Sequence, residues 1–184
     1  MVQNALQAFA PSTILDVGCG AADIPLALVR DARECGRNLK VTCVDSSSQV
    51  LAIARRHSAD PALSFAQTDA TALPYENRSF DVAMCNLTLH HCDPPVATAL
   101  LTEMRRVARH GCIVTDLRRS RIVWFGAKIL AAIGTHNRLS RHDAPLSVLR
   151  AYTPGEAMAL ARAAGWRAPK FGRAPIGRMV LVDG

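Results

Sequence analysis

An α/β fold, built on a doubly wound and mostly parallel sheet with helices on both faces, is predicted by three features of the sequence. Strand-like β-branched runs alternate with amphipathic segments through the first 117 residues, a rhythm that calls for parallel strands joined by crossover helices. The stretch ILDVGCGAAD, Ile14 to Asp23, runs from a strand through two closely spaced glycines into a helix start. The tail PKFGRAPIGRMVLVDG carries two short strand-like runs around a Pro/Gly turn, which supplies an antiparallel C-terminal strand. The expected architecture is Rossmann-like.

Each element follows from local chemistry. TILDV (13–17) reads as the first strand, and 24–36 as a helix with Asp23 as N-cap, Pro25 in the first turn and Gly36 at the stop. KVTCVD (40–45) is the second strand, followed by a serine-capped helix over 47–59. LSFAQT (63–68) and FDVAMCN (80–86) are the third and fourth strands, the latter introduced by the turn-like PYENRS. Residues 94–111 form an amphipathic helix with Pro at its start and Gly at its end, and CIVTDL (112–117) is the fifth strand. The rhythm then breaks. RIVWFGAKILAAIG (121–134) is apolar with one lysine, 135–145 is a polar loop, and 153–166 is a helix opened by a Thr153/Glu156 capping box. The chain reads as one domain over 1–184: a ligand-binding core at 13–117, an insertion at 118–151 suited to substrate contacts or a lid, and a C-terminal helix and strands at 152–184.

Composition narrows the class. With 49% hydrophobic and 20% charged residues, the chain is globular rather than disordered or fibrous. No apolar run approaches the ~20 residues that span a bilayer, and the first ten residues lack a signal-peptide pattern. Six cysteines show no C-x-x-C pair and sit mostly in apolar runs, so a reducing, cytoplasmic setting is expected. Charge is uneven: residues 1–103 carry a net −4 and residues 104–184 a net +11. The acidic part suits a cationic or hydroxyl-rich ligand, and the basic part suits something anionic.

The glycine turn lets backbone approach a ligand at the strand's C-terminal end. A dinucleotide site wants G-x-G-x-x-G, and here the third position is Asp23. Asp16, two residues before Gly18, would oppose a pyrophosphate but suits a ligand bearing positive charge. With "LDVGCGAAD", "VTCVDSSSQVLAIA", "AQTDATALPYENRSFDVAMCNLTLHH" and "EMRRVARHGCIVTD" in this order, residues 13 to about 117 resemble the class I S-adenosylmethionine-dependent methyltransferases. The resemblance implies S-adenosyl-L-methionine as cofactor. It implies that Gly18, Cys19 and Gly20 pack against the cofactor's amino-acid portion and ribose, and that Asp16 sets the turn and favours the ammonium. Asp45, with Ser46 beside it, would accept the ribose hydroxyls. Asp69 and Ala70 would read adenine, and Asn86 and Leu87 would end the fourth strand beside the methyl-transfer site.

Within that family "SFDVAMCNLTLHHCDP" is similar to the ubiquinone/menaquinone C-methyltransferase branch, which implies a small apolar, aromatic or lipid-like acceptor methylated on carbon or oxygen. His90 and His91 are the candidates for a general base, should the acceptor arrive protonated. The alternative is that one caps the next helix and the other packs on the sheet. Four consecutive residues, His90 to Asp93, cannot readily face one ion, so no metal is expected. Ile122, Phe125, Ile129 and Ile133 form one helical stripe, either core or a lid over the acceptor. Arg118, Arg119, Arg121, Arg138 and Arg141 suit a carboxylate, a phosphate or an anionic membrane surface, and His142 with Asp143 is a second acid–base pair. Only twelve residues precede the first strand, whereas the resemblance implies further N-terminal helices over the cofactor. Two alternatives therefore stand beside the small-molecule enzyme: an RNA or protein methyltransferase using the basic half, and a cofactor-binding subunit completed by another chain in a homo- or hetero-oligomer.

Overall fold

The computed structural model describes residues 6, 9–134, 146–175 and 177–184. Seven strands form one sheet: β1 (Thr13–Val17), β2 (Lys40–Asp45), β3 (Leu63–Gln67), β4 (Phe80–Asn86), β5 (Ala108–Leu117), β6 (Lys170–Ala174) and β7 (Arg178–Asp183). Their order is β3-β2-β1-β4-β5-β7-β6. The first five run parallel, and β7 pairs antiparallel with both β5 and β6. The helices are α1 (Asp23–Glu34), α2 (Ser48–His57), α3 (Pro94–Val107), α4 (Arg121–Gly134) and α5 (Pro154–Ala163), with a 3₁₀ turn at Leu89–His91. Residues 146–150 are also helical.

The central strands are covered on both faces, as near-continuous apolar runs require. Leu15, Val17, Ala83 and Cys85 join one core with α3 and α5, including Leu100, Leu101, Met104 and Trp166. Ile14, Val82 and Met84 alternate to the other, with Leu28, Val29 and Ala32 of α1 and Ala54 of α2. Trp166 donates its Nε1–H to Leu101 O at 3.1 Å, so the buried indole brings no unpaired donor into the core. Strand order reverses between β1 and β4, and a crevice at the C-terminal ends of those strands is where such sheets take ligands.

The structure corrects three sequence expectations. Asp23 is the first residue of α1 rather than its cap; the N-cap is Ala22, in the left-handed region at φ 62°, with no side-chain cap. The helix over 94–111 stops at Val107, because Ala108 turns extended (φ −82°, ψ 137°) and pairs with Phe80. β5 therefore starts four residues earlier than expected, and Gly111 lies within it where a Cβ would meet Asp183 O and the Phe9 ring. The C-terminal helix ends at Ala163, followed by Gly165 at φ +80°. The capping box is present as expected: Thr153 Oγ1 accepts from Glu156 N, and Glu156 Oε2 accepts from Thr153 N at 2.8 Å. Ser47 caps α2 by accepting from Val50 N. Among the described residues no helix is long and apolar enough to cross a membrane.

Candidate active site

The turn after β1 is fixed from below by β2: Gly18 N and Cys19 N both donate to Val44 O, at 2.8 and 3.0 Å. Gly18 sits at φ +72°, and a Cβ there would collide with the Thr88 side chain. Thr88 Oγ1 in turn lies within hydrogen-bonding distance of Gly18 O (3.2 Å) and Asn86 O (3.1 Å). Gly20, at φ +56°, faces open space. Its N–H donates to Asp45 Oδ2 at 3.2 Å, while Asp45 Oδ1 accepts from Ser47 N at 3.0 Å. One carboxylate thus ties the glycine turn to the start of α2 and still borders the crevice.

That crevice is a cleft of about 460 Å³ running over the ends of β1, β2 and β4, within the size range of small-molecule sites. Gly18, Gly20, Asp45, Ser46, Asp69, Ala70 and Leu87 all line it. Asp69 Oδ1 accepts from Thr71 N and Thr71 Oγ1, at 2.8 and 2.7 Å, and these bonds hold its carboxyl below the usual carboxylate range. Leu87 adopts φ 53°, a strained value for a branched side chain. Thr68, Thr71, Thr88 and Leu100 are among the further lining residues, and none of them carries a binding signal of its own in the sequence. Thr88 was legible only as part of a run, because its role depends on Gly18, seventy residues away.

Asp16, Cys19 and Asn86 do not border the cleft. Asp16 is buried beside it and accepts from Asn86 Nδ2 at 3.2 Å, and Asn86 Oδ1 accepts from Thr115 Oγ1. Burial, and to a lesser degree the charge of Asp45, push the Asp16 carboxyl up to about 7 against the single lowering bond from Asn86. Cys19 packs against the core on the α1 side of the sheet.

Beyond the end of β4 the two histidines part company. His90 is buried, with its Nδ1 2.7 Å from Asp116 Oδ1 and its backbone N–H donating to Asp116 Oδ2 at 3.1 Å. His91 is exposed, and its ring rests against that of His90 at a centroid distance of 4.0 Å. Desolvation, then His90, then Arg150 hold the His91 imidazole below its ordinary value, with Asp116 working against them. Asp116 ends up opposite β4 because β5 is its parallel neighbour, and a strand-end carboxylate in "CIVTDL" was the only sequence signal for it.

A second, larger cavity of about 780 Å³ opens beside the first, and His91 and Cys92 line both. Its walls include Pro94, Tyr152, Leu160 and Ala163, with Arg119, Arg150, Asp93 and Glu156 as charges. Arg119, named from sequence, pairs with Glu156. Arg118 donates its N–H to Gly177 O, and Ile122 and Phe125 on α4 are 85% and 60% exposed, so neither belongs to the core. Arg138, Arg141, His142 and Asp143 lie outside the described residues, as do the side chains of Ile129 and Ile133.

Comparison with known proteins identifies the family. A family model described as a methyltransferase domain matches residues 14–111. The ubiquinone/menaquinone biosynthesis C-methyltransferase of Rickettsia akari is 38% identical over 74 residues, 38% of this chain and 30% of that protein. The demethylmenaquinone methyltransferase of Porphyromonas gingivalis is 31% identical over 124 residues, covering 65% of this chain and 49% of the relative. The chain therefore spans less than half the length of these curated relatives. Human N-acetylserotonin methyltransferase, solved in complex with S-adenosylmethionine, superposes at TM-score 0.69 and 17% identity, covering 99% of this chain and 50% of that one. A cleft rimmed by carboxylate and hydroxyl acceptors at a glycine turn fits a ligand with ribose hydroxyls, an adenine amine and cationic groups. The chain belongs to the methyltransferase-domain family, as a class I S-adenosylmethionine-dependent methyltransferase similar to the ubiquinone/menaquinone C-methyltransferases.

Proposed function

We propose that this chain methylates carbon or oxygen of a small apolar, aromatic or lipid-like acceptor seated in the outer cavity, with the methyl donor in the inner cleft. The observation that carries this reading is the junction of the two spaces at His91 and Cys92. The cofactor supplies a methyl group already activated on a sulfonium. What remains for the protein is to align two ligands and keep water out. Asp45 and Ser46 would hold the ribose edge, Asp69 and Ala70 the adenine, and the backbone at Gly18 and Gly20 the amino-acid end. His91, neutral at physiological pH because its imidazole is held low, is suited to take a proton from a phenol or enol entering from the outer side. His90, fixed by Asp116, also lines the outer cavity and backs that ring.

The test is calorimetric titration with S-adenosylhomocysteine on the wild type, Asp45→Ala and Asp45→Asn. Loss of a charge-assisted bond of about 1.5–3 kcal/mol predicts an affinity about ten- to a hundredfold weaker in Asp45→Ala. Asp45→Asn keeps one acceptor oxygen for the turn, and melting curves on both variants separate loss of binding from loss of fold. Equal affinity in folded wild type and variants would refute the assignment. With binding in hand, phenols and quinols are the acceptors to screen, and His91→Gln should abolish turnover while changing S-adenosylhomocysteine affinity far less than Asp45→Ala does.

A further inference from the structure

The outer cavity carries a charge arrangement that the proposed methyl transfer does not use. Four charged side chains line it apart from the histidines: Asp93, Arg119, Arg150 and Glu156. Arg119 and Glu156 pair with each other, and Glu156 is further committed to the capping box through Thr153 N. Asp93 acts electrostatically on Cys92 and Tyr152, whereas Arg150 is the one of these four charges felt at His91. Among the described residues Arg150 has no carboxylate partner.

The segment that delivers Arg150 is anchored on both sides. Val148 and Ala151 are buried. Tyr152 donates its hydroxyl to Cys92 O at 2.6 Å, and Tyr152 O accepts from Arg119 N at 3.0 Å. The guanidinium is therefore carried on a framework tied to the turn that bears His91. The apolar part of the lining, Pro94, Leu160 and Ala163, suits a ring or chain.

Resting on the reading that the outer cavity holds the acceptor, we propose that Arg150 makes the site selective for an apolar acceptor bearing a carboxylate, such as an aromatic hydroxy acid, with its anion on Arg150 and its nucleophilic atom beside His91. A planar guanidinium offers a carboxylate two parallel N–H donors, which a lysine cannot reproduce.

Matched probes test it: 3-hydroxy-2-naphthoate and 2-naphthol, which differ by one carboxylate. Both are titrated by fluorescence, with and without saturating S-adenosylhomocysteine, against the wild type, Arg150→Gln and Arg150→Lys. The expected result is a preference of about tenfold or more for the naphthoate in the wild type, lost in Arg150→Gln and partly retained in Arg150→Lys. 2-Naphthol should bind all three alike. Equal affinities in the wild type, no binding of either probe, or an undiminished preference in Arg150→Gln would overturn the inference. Failure of S-adenosylhomocysteine to bind the wild type would instead sink the methyl-transfer reading, and the two results are read independently.

Discussion

Gly18 and Gly20 look equivalent in the sequence, yet the structure gives them different tasks. A methyl group on Gly18 would run into Thr88, whereas one on Gly20 would enter open space at the cleft. Both sit at positive φ, which costs an L-residue about 1–2 kcal/mol. Gly18→Ala adds a steric conflict to that strain, so the expected loss is at least about 2 kcal/mol, or a melting temperature lower by about 4–8 °C. Gly20→Ala should cost about half as much stability but weaken S-adenosylhomocysteine more, because its Cβ projects where a ligand would lie. Melting curves and titrations on both variants check this; equal melting temperatures would mean that Thr88 yields. The glycines, Asp45 and Asp69 are legible as cleft residues because their placement is local to strand ends. Asn86 was legible as a position but not as a role. Its amide is consumed by Asp16 and Thr115, partners seventy and twenty-nine residues distant that no local pattern reveals. The same holds for His90, whose ring is claimed by Asp116.

At the scale of elements, periodicity placed every strand and most helices, and errors cluster where tertiary contacts decide an end. α3 gives way to β5 at Ala108 because Arg106, just before it, is spent on the preceding turn. Arg106 Nη1 donates to Tyr75 O at 2.6 Å, its Nη2 to Leu73 O at 2.9 Å, and its own carbonyl accepts from Arg78 N. Chain direction at that point is set by the PYENRS turn and by pairing with Phe80, not by helix propensity. The same turn holds a removable strain: Arg78 is exposed at φ 57°. Arg78→Gly keeps the backbone N–H and carbonyl that the turn uses and relieves about 1 kcal/mol of left-handed strain, less the extra entropy of an unfolded glycine. The expected outcome is a melting temperature unchanged or raised by about 2–4 °C, against the loss typical of substitutions to glycine. A clear fall in melting temperature would show that the Arg78 side chain contributes more than the strain costs.

Across the whole molecule, the sheet order explains why a chain with an acidic front and a basic back builds two adjoining spaces. The ends of β2 and β3 bring Asp45 and Asp69 of the first half to one crevice, and the return from β5 brings Arg119 and Arg150 of the second half to the cavity beside it. Asp16 stands at the centre of this arrangement, on the strand where the order reverses. Its native carboxyl titrates near 7 against an ordinary 3.8. A carboxyl raised on folding leaves the native state holding more protons than the unfolded one between those values. Its contribution to stability is therefore full below about pH 4 and lost as pH rises through 7. A cationic ligand near Asp16 favours the ionised form and restores that loss, releasing a proton as it binds. Binding should accordingly strengthen with rising pH up to about 7 and then level off. If only the ionised form binds, affinity at pH 7.5 exceeds that at pH 5.5 by on the order of twentyfold. The thermal shift produced by S-adenosylhomocysteine should be larger at pH 7.5 than at 5.5, and titrations at pH 6 in buffers of different ionisation enthalpy should register proton release approaching one per site. In Asp16→Asn both effects should vanish while the protein gains stability at pH 8 relative to the wild type, since the amide carries no charge to bury. A thermal shift independent of pH in the wild type would place the ligand's positive charge beyond the reach of Asp16, and would shift the electrostatic work to Asp45 at the cleft wall.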